Sequence, residues 1–267
     1  MRFTAVLGDS KSVEIFSKVL GIASKICRKR IVVRITPNEF SFVNVYSIRE
    51  GICLDFRLLK DQLFCSWVFE GISVENNAIF FELSTDDLIG SIQSRENQAK
   101  FKLVKKDNIP HLRIELSANG LVNEIPINFI LVRNWNDYNP PNMGTPSVAV
   151  TLPPVKNLSK ILSAVKNIGA KNAAFRVNNS GEFSVCAITD MAKVDIYAGD
   201  LTNLSLTGSS TTTPAILDIR ALYPFVSSLS PYIARLGIKI VNGKGAIFSA
   251  TELECHLTLY IAGQQQD

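Results

Sequence analysis

The chain has 267 residues and a formal net charge of +4, with 46% hydrophobic and 19% charged residues. This length accommodates one large domain or two mid-sized ones, and the composition is that of a folded globular protein rather than a disordered one. No apolar run approaches the roughly 18 residues that a membrane-spanning helix needs. The start of the chain also lacks the features of a signal peptide. We therefore expect neither a membrane protein nor a secreted one.

Short runs of alternating polar and apolar residues dominate the chain, and this period of two predicts β-strands. In chain order the predicted strands span residues 30–36, 39–47, 51–59, 78–84, 99–106, 111–117, 123–132, 147–153, 172–179, 181–188, 192–199, 215–220, 235–242, 246–251 and 254–262. Turns rich in Asn and Gly, such as residues 242–245, separate several of them and favour antiparallel hairpins.

Four segments have apolar residues spaced by three and four, which predicts amphipathic helices. They span residues 9–30, 84–95, 153–167 and 220–229, and Pro224 must lie in the first turn of the last helix or bend it. The long helices start 144 positions apart and the short ones 136 apart, which indicates an internal repeat. We predict two similar α+β domains, at residues 1–132 and 147–267, joined by an Asn- and Pro-rich connector at residues 133–146.

The positive charge is concentrated on the two long helices. Residues 9–30 and residues 155–171 each carry a net charge of +4, so the rest of the chain has a net charge of −4. Both helical segments place lysines opposite the apolar stripe: Lys11, Lys18 and Lys25 recur every seven residues, and Lys156 and Lys160 lie one turn apart. Such a surface suits sequence-independent contact with nucleic-acid phosphates. The alternative is that these lysines only solvate the helices, but few acids are present to balance them.

No arrangement of residues indicates catalysis, a metal or a cofactor. His111 and His256 are the two histidines, and His256 follows Cys255 on a predicted strand, where neighbouring side chains point to opposite faces. The five cysteines form no CxxC pair, and the Gly-Lys-Gly sequence at residues 243–245 lies in a hairpin turn rather than before a helix. We expect a protein that is not an enzyme and that has no cofactor or metal site.

The repeated order of strands and basic helices, with a connector between the halves, resembles a eukaryotic sliding clamp of the proliferating-cell-nuclear-antigen type. More narrowly, GISVENNAIFFELSTDDL (71–88), EIPINFI (124–130), ILDIRALYPFVSSL (216–229) and the opening MRF resemble the Hus-one subunit of the heterotrimeric nine-one-one checkpoint clamp. The similarity runs in collinear order over residues 1–261, and the stretch 71–88 is its specific part.

This resemblance implies a ring of three different subunits that encircles double-stranded DNA at damage sites, without sequence preference. It implies a nuclear, non-enzymatic platform for checkpoint and repair proteins, placed by a checkpoint clamp loader and not bound to membranes. In the sliding-clamp fold each of two similar domains has antiparallel sheets and two helices on the inner face. The DNA-facing basic residues would be Lys11, Lys18, Lys25, Arg28, Lys29, Arg95, Lys156, Lys160, Lys166 and Arg220.

Rings of this family close by strand pairing between an edge of one subunit's first domain and an edge of its neighbour's second domain. The resemblance implies that the strands at residues 111–117 and 193–197 form this interface here. The interface residues would be His111, Leu112, Arg113, Ile114, Glu115, Lys193, Val194, Asp195, Ile196 and Tyr197.

The connector contains Trp135, Tyr138, Pro140 and Pro141, which either dock a partner peptide or pin the connector to the core. Other functions remain open as alternatives: a homotrimeric replicative processivity clamp, or a protein-interaction module that does not bind DNA. A small hydrolase or transferase would need a nucleophile, a base and an orienting group, which the two histidines are poorly placed to supply.

Overall fold

A computed structural model of the chain describes residues 1–27, 29–44, 51–92, 96–118, 120–177, 182–199, 201–206, 214–252 and 254–264. The chain divides into two compact units. The first comprises Met1–Tyr46, Leu54–Asn139 and Leu253–His256, and the second comprises Ser47–Cys53, Pro140–Glu252 and Leu257–Asp267. Within the described ranges, no helix is both long and apolar enough to span a membrane.

The first unit is built from antiparallel strands and one long helix. Its strands are β1 (Arg2–Leu7), β2 (Arg30–Ile35), β3 (Glu39–Asn44), β4 (Ile52–Leu59), β5 (Phe64–Glu70), β6 (Ile79–Ser84), β7 (Ala99–Lys106), β8 (Ile109–Leu116), β9 (Val122–Pro126) and β10 (Asn128–Phe129). Its helices are α1 (Ser10–Ile26), α2 (Lys60–Leu63) and α3 (Thr85–Gly90), followed by a 3₁₀ helix at Val132–Tyr138. One sheet has the order β5-β1-β7-β8-β9, and the other strands follow the order β10-β6-β2-β3-β4.

The second unit repeats this plan. Its strands are β11 (Val148–Thr151), β12 (Asn172–Val177), β13 (Phe183–Ile188), β14 (Lys193–Ala198), β15 (Thr202–Leu206), β16 (Ala215–Asp218), β17 (Gly237–Val241), β18 (Gly245–Ala250) and β19 (Cys255–Ala262), and its helices are α4 (Val155–Asn167) and α5 (Ile219–Leu229). The strand orders are β14-β13-β12-β16 and β19-β18-β17-β11-β15. Helix α4 thus occupies the place of α1 in the repeat, and α5 occupies that of α3.

Helix α1 is fixed by a polar cap at its start and by an aromatic core beneath it. The Asp9 carboxylate accepts a hydrogen bond from the backbone N–H of Ser12 at 2.7 Å, which satisfies one of the free donors of the first turn. The fully buried ring of Phe16 lies 5.6 Å from that of Phe42 and 5.0 Å from that of Phe101, measured between centroids. The apolar stripe of the sequence therefore faces the sheets of the first unit.

Helix α4 rests on an aliphatic core instead. Its buried side chains are Val155, Leu158, Leu162 and Val165. Its N-cap residue is Pro154, which provides no side-chain hydrogen bond, and the first turn contains no acid. In the second unit, the Phe175 ring contacts those of Phe183 and Phe248.

Two predicted helices are shorter in the structure. The helix predicted at residues 9–30 ends at Ile26, because the residues from Arg30 onward form β2 and pair with β6, where Arg30 faces Ser84. The helix predicted at residues 84–95 is α3, and the Ser84 hydroxyl caps it by accepting the backbone N–H of Asp87. Pro224 lies in the interior of α5 rather than in its first turn.

Candidate nucleic-acid interface

The lysines of α1 form a stripe along one edge of the helix. Positions seven apart drift by only about 20° around an α-helix, so Lys11, Lys18 and Lys25 stay in line. Lys11 and Lys25 are exposed and Lys18 is half-buried, and Lys29 is exposed just beyond the end of the helix. Arg28, predicted to belong to this set, lies outside the described residues.

Two of these lysines already have acidic partners. Lys11 forms an ion pair with Glu254, which lies 243 positions away in the sequence, and this hydrogen bond raises the pKa of Lys11. Lys18 pairs with Glu14, one turn earlier, at 2.6 Å between Nζ and Oε1. For Lys25 and Lys29, no acidic group lies within 4.0 Å among the described residues. Two of the three lysines of α1 are therefore partly neutralised within the protein.

The lysines of α4 are differently placed. Lys156 and Lys160 are exposed, and neither has an acidic partner in the part of the chain that the structure describes. At about 100° per residue, Lys166 lies about 120° around the helix from Lys160. Lys166 is therefore on the flank of α4, where its Nζ sits 4.6 Å from the ring centroid of Tyr223 on α5.

The remaining predicted basic residues contribute less to an open cationic surface. Arg220 is exposed, but its guanidinium binds both carboxylate oxygens of Asp218, with Nη2 to Oδ2 at 2.6 Å. Asp218 is also the N-cap of α5 and accepts the backbone N–H of Arg220 at 2.8 Å. Arg95 lies outside the described residues.

Strand β8 does not provide the sheet edge that was predicted at residues 111–117. It is paired on both sides: Ile114 faces Phe101 of β7 and Asn123 of β9. The prediction was wrong by one strand, because the chain reverses after β8 and lays β9 along it. The five residues assigned to the interface therefore lie inside the sheet, and they are His111, Leu112, Arg113, Ile114 and Glu115.

Strand β9 is the edge of this sheet, with β8 as its hydrogen-bonded neighbour among the described strands. The backbone N–H of Leu116 donates to the carbonyl of Leu121 at 2.9 Å, which fixes the hydrogen-bonding phase of the β8–β9 pair. Because this direction alternates along an antiparallel pair, Val122, Glu124 and Pro126 point their backbone groups away from β8. All three carbonyls are acceptors on this edge, whereas proline has no N–H to donate.

Strand β14 is the edge of a sheet in the second unit, as predicted for residues 193–197. The N–H of Thr189 donates to the carbonyl of Ala192 at 2.8 Å, which sets the phase of the β13–β14 hairpin. It follows that Lys193, Asp195 and Tyr197 point their backbone groups to the open side, while the intervening residues, Val194 and Ile196, bond to β13.

The side chains on the outer face of β14 are electrostatically matched. Asp195 accepts a hydrogen bond from Cys186, opposite it on β13, and forms an ion pair with Lys193 at 2.8 Å. These contacts lower the pKa of Asp195, and the bond to Asp195 raises the pKa of the Cys186 thiol. Tyr197 is 65% exposed. The strand thus combines a neutralised charge pair with an exposed aromatic ring.

The connector is held on the first unit by aromatic contacts. The Trp135 ring stacks on Phe80 of β6 with 4.7 Å between centroids, and its Nε1–H donates to the carbonyl of Ile130 at 3.0 Å. Tyr138 makes an edge contact with the same Phe80 ring. These contacts are those expected if the connector is pinned to the core, and Pro140 and Pro141 remain half-exposed.

Comparisons with known proteins agree with one another. A family model described as "Hus1-like protein" matches residues 1–221. The chain is 25% identical to "Checkpoint protein HUS1" of Homo sapiens over 278 aligned positions, covering 98% of this chain and 99% of that protein. It is 26% identical to "Checkpoint protein hus1 homolog" of Dictyostelium discoideum, over 58% of this chain and 59% of the relative.

Two solved structures share the fold. Proliferating Cellular Nuclear Antigen from Entamoeba histolytica superposes with a TM-score of 0.72 at 12% identity, covering 99% of this chain and all of that one. The PCNA2–PCNA3 complex from Sulfolobus tokodaii gives a TM-score of 0.70 at 12% identity, covering 99% of each chain. The α+β sliding-clamp fold expected from the sequence is thereby confirmed.

Proposed function

We propose that this chain, a member of the Hus1-like protein family, works in a ring of three different subunits around duplex DNA. The chain is a sliding-clamp subunit of the DNA damage checkpoint. In this proposal a checkpoint clamp loader places the ring at damage sites in the nucleus. The ring is then a non-catalytic platform for repair and checkpoint proteins.

The observation that carries the ring is that β9 and β14, the strands expected to pair between subunits, are two of the six strands that end a sheet among the described residues. The first unit ends one sheet on β9 and the second ends one on β14. An unpaired edge with free backbone groups promotes aggregation unless a partner covers it. Strand addition between β9 of one subunit and β14 of the next would cover both, and it uses the same antiparallel pairing as the sheets themselves. The proposal therefore replaces β8 by β9 in the subunit interface.

Contact with DNA is proposed through the exposed lysines of α1 and α4. Lysine ammonium groups on the solvent face of a helix bind backbone phosphates and do not read base edges, so binding would be independent of sequence. Lys156, Lys160, Lys25 and Lys29 have no acid within 4.0 Å among the described residues and would carry most of the contact. Lys11 and Lys18 would have to exchange their carboxylate partners for phosphates.

Retention on circular DNA tests the ring. The chain would be purified with its two sister subunits, loaded on nicked circular DNA, and followed by gel filtration before and after the DNA is cut once. A closed ring stays on the circle and is lost from the free ends of the linear form. Equal retention on both forms would rule out encirclement.

The edge assignment has its own test. Replacing Glu124 by proline removes one of the two outward N–H groups of β9, the other being that of Val122, and should abolish co-purification with the sister subunit that pairs there. The matched control Glu124→Ala removes the carboxylate but keeps that N–H, so it should co-purify normally. If both variants assemble like the wild type, β9 is not the interface.

The same preparations separate the alternatives. A stable homotrimer of this chain alone that is retained on circles would favour a replicative processivity clamp over a heterotrimer. DNA association that does not fall as salt rises would contradict a phosphate-contacting surface and favour a protein-interaction module, because counterion release makes such binding steeply salt-dependent.

A further inference from the structure

Lys166 is separated from the other lysines of α4 by the geometry of the helix. Lys156 and Lys160 lie within about 40° of each other around the axis, whereas Lys166 is about 120° from Lys160. On this flank it lies close to the line of the buried Leu162, yet its side chain is exposed. Helical phase alone therefore does not direct Lys166 to the surface that Lys156 and Lys160 share.

Helix α5 provides a contact that positions Lys166, which the helical phase of α4 alone does not. Tyr223 of α5 places its ring 4.6 Å from the Lys166 ammonium, measured to the ring centroid. Tyr223 itself is half-buried, and it is followed along α5 by the buried Phe225 and preceded by the buried Leu222. A ring held in this way offers a fixed, negatively polarised face on which a cation can rest.

Whether a lysine can still bind a phosphate depends on the kind of group that its ammonium already contacts. A carboxylate, such as the one that Glu254 presents to Lys11, takes up a lysine's hydrogen-bond donors and cancels its charge. An aromatic face attracts the ammonium without cancelling its charge and leaves donors free on the side away from the ring. No carboxylate lies within 4.0 Å of Lys166 in the described ranges. Lys166 is thus both held in place and still able to bind an anion.

We propose that Tyr223 is a positioning residue that holds Lys166 for contact with a backbone phosphate of duplex DNA. This inference rests on the proposed function, since it assigns one further phosphate contact to the same surface. Helix α5 would then contribute to the DNA-contacting surface through the neutral ring of Tyr223. The cation predicted on that helix, Arg220, is bound to Asp218.

The test uses the assembled ring of three subunits and a short duplex with open ends. Affinity would be measured by fluorescence anisotropy between about 50 and 200 mM salt, where each phosphate contact contributes about 0.9 to the slope of log affinity against log salt. Lys166→Gln and Tyr223→Leu should each lower this slope by about one, and the double variant should lower it no further. Tyr223→Phe keeps the ring and should behave like the wild type.

A second measurement reports the pair without DNA. The ring current of Tyr223 should shift the NMR signals of the Lys166 ε-methylene protons upfield in the free chain, and this shift should vanish in Tyr223→Leu but persist in Tyr223→Phe. Thermal unfolding of each variant checks that it is folded. If the shift is present and Tyr223→Leu leaves the salt slope unchanged, the positioning role is wrong. An effect of Tyr223→Leu that adds to that of Lys166→Gln would also overturn it.

The proposed function fails in a distinguishable way. If DNA does not retain the wild-type ring on circles, or if Lys156→Gln with Lys160→Gln leaves the salt slope unchanged, the whole surface is not a DNA site. The NMR shift would then still show whether the Lys166–Tyr223 contact exists in solution.

Discussion

Helices α1 and α4 occupy the same place in the internal repeat, and the segments that contain them carry the same net charge of +4. Their cations are nevertheless not equally available. On α1, Glu254 and Glu14 hold two of the lysines, whereas on α4 one lysine rests on a neutral ring and two have no acidic partner among the described residues. Net charge along a sequence therefore gives the excess of cations over acids in a segment, not how many cations are free to bind phosphate.

The two helices also differ in what lies beneath them. The ring of Phe16 packs among other phenylalanines, while α4 presents aliphatic side chains such as Leu162 to its core. Truncating a large aromatic side chain leaves a larger cavity than truncating an aliphatic one. The loss of stability caused by a single core truncation should therefore be greater beneath α1 than beneath α4.

The largest expected effect concerns these cores. Phe16→Ala should destabilise the first unit by ~3–5 kcal/mol, because it empties a site enclosed by other rings, and Leu162→Ala should destabilise the second by ~2–5 kcal/mol. Native-state hydrogen exchange measures the two units separately, since amides of α1 and α4 report on each. If Phe16→Ala accelerates exchange in α1 no more than Lys25→Ala does, the aromatic core does not hold the helix.

The next effect concerns available charge. In the assembled ring, replacing Lys156 and Lys160 by Gln should lower the salt slope of DNA binding by about two, at about 0.9 per lost phosphate contact. Replacing Lys11 and Lys18 by Gln should lower it less, because these lysines first have to leave their carboxylates. Fluorescence anisotropy over a salt series compares the two double variants.

Glu254→Gln is the reciprocal variant. It removes the charge that holds Lys11 and should raise the affinity for DNA, which a solvating role for Lys11 would not predict. Equal slopes for the two lysine pairs would show that ion pairing within the protein does not set availability, and the contrast between α1 and α4 would fail.

A smaller effect distinguishes the helix starts. Asp9→Ala removes the N-cap of α1 and should cost about 1 kcal/mol at neutral pH. The hydrogen bond from the Ser12 backbone lowers the pKa of Asp9, so the folded state favours its ionised form. This stabilisation is present above the ordinary aspartate pKa of about 3.9 and is lost as the pH falls through the lower folded-state pKa.

Hydrogen exchange in α1 at a series of pH values below about 5 tests the prediction, after correction for the intrinsic exchange rates. The protection of α1 should fall with pH in the wild type and less so in Asp9→Ala. Helix α4, whose N-cap residue Pro154 provides no side-chain hydrogen bond, is the internal control. An identical pH dependence in both proteins would mean that the cap carries none of it.

The smallest effect concerns Gly21, which lies on the exposed side of α1 between Lys18 and Lys25; α4 has no glycine. A Cβ at this position would meet no atom within 4 Å. Gly21→Ala should therefore stabilise α1 by ~0.5–1 kcal/mol through the lower entropy of the unfolded chain. Thermal unfolding measures the gain. Gly245→Ala is the opposite control, because its Cβ would meet the carbonyl oxygen of Ile261 at 2.0 Å.

The sequence predicted much of this architecture because hydrophobic periodicity is a local property. Most of the strands, the four principal helices and the repeat follow from it, whereas β5 (Phe64–Glu70) and β15 (Thr202–Leu206) were not predicted. Periodicity does not identify the edge strand, since pairing depends on where the chain reverses after β8, and it predicts one long strand at residues 123–132. In the structure this run is divided into β9 and β10, with Ile127 between them.

In the candidate nucleic-acid interface, too, the features that follow from local spacing could be predicted and those that depend on tertiary contacts could not. The stripe of Lys11, Lys18 and Lys25 follows directly from heptad spacing, and the separate position of Lys166 could have been found by counting helical angle from Lys160. The ion pair between Lys11 and Glu254 could not, because it joins residues 243 positions apart. The stack of Trp135 on Phe80 likewise depends on tertiary contact, which is why the two roles of the connector stayed open.

If β9 of one subunit pairs with β14 of the next, as we propose, these unlike edges also determine what kinds of assembly the chain can enter. An edge that pairs with a different edge gives a head-to-tail contact, which has no built-in stopping point. Such contacts close into a ring when the rotation between neighbours divides a full turn, and otherwise they continue as a filament. The number of subunits is then a property of the angle at each junction. A chain without its partners still has both edges unpaired. We therefore expect that, when its partners are missing, it can associate with copies of itself into filaments.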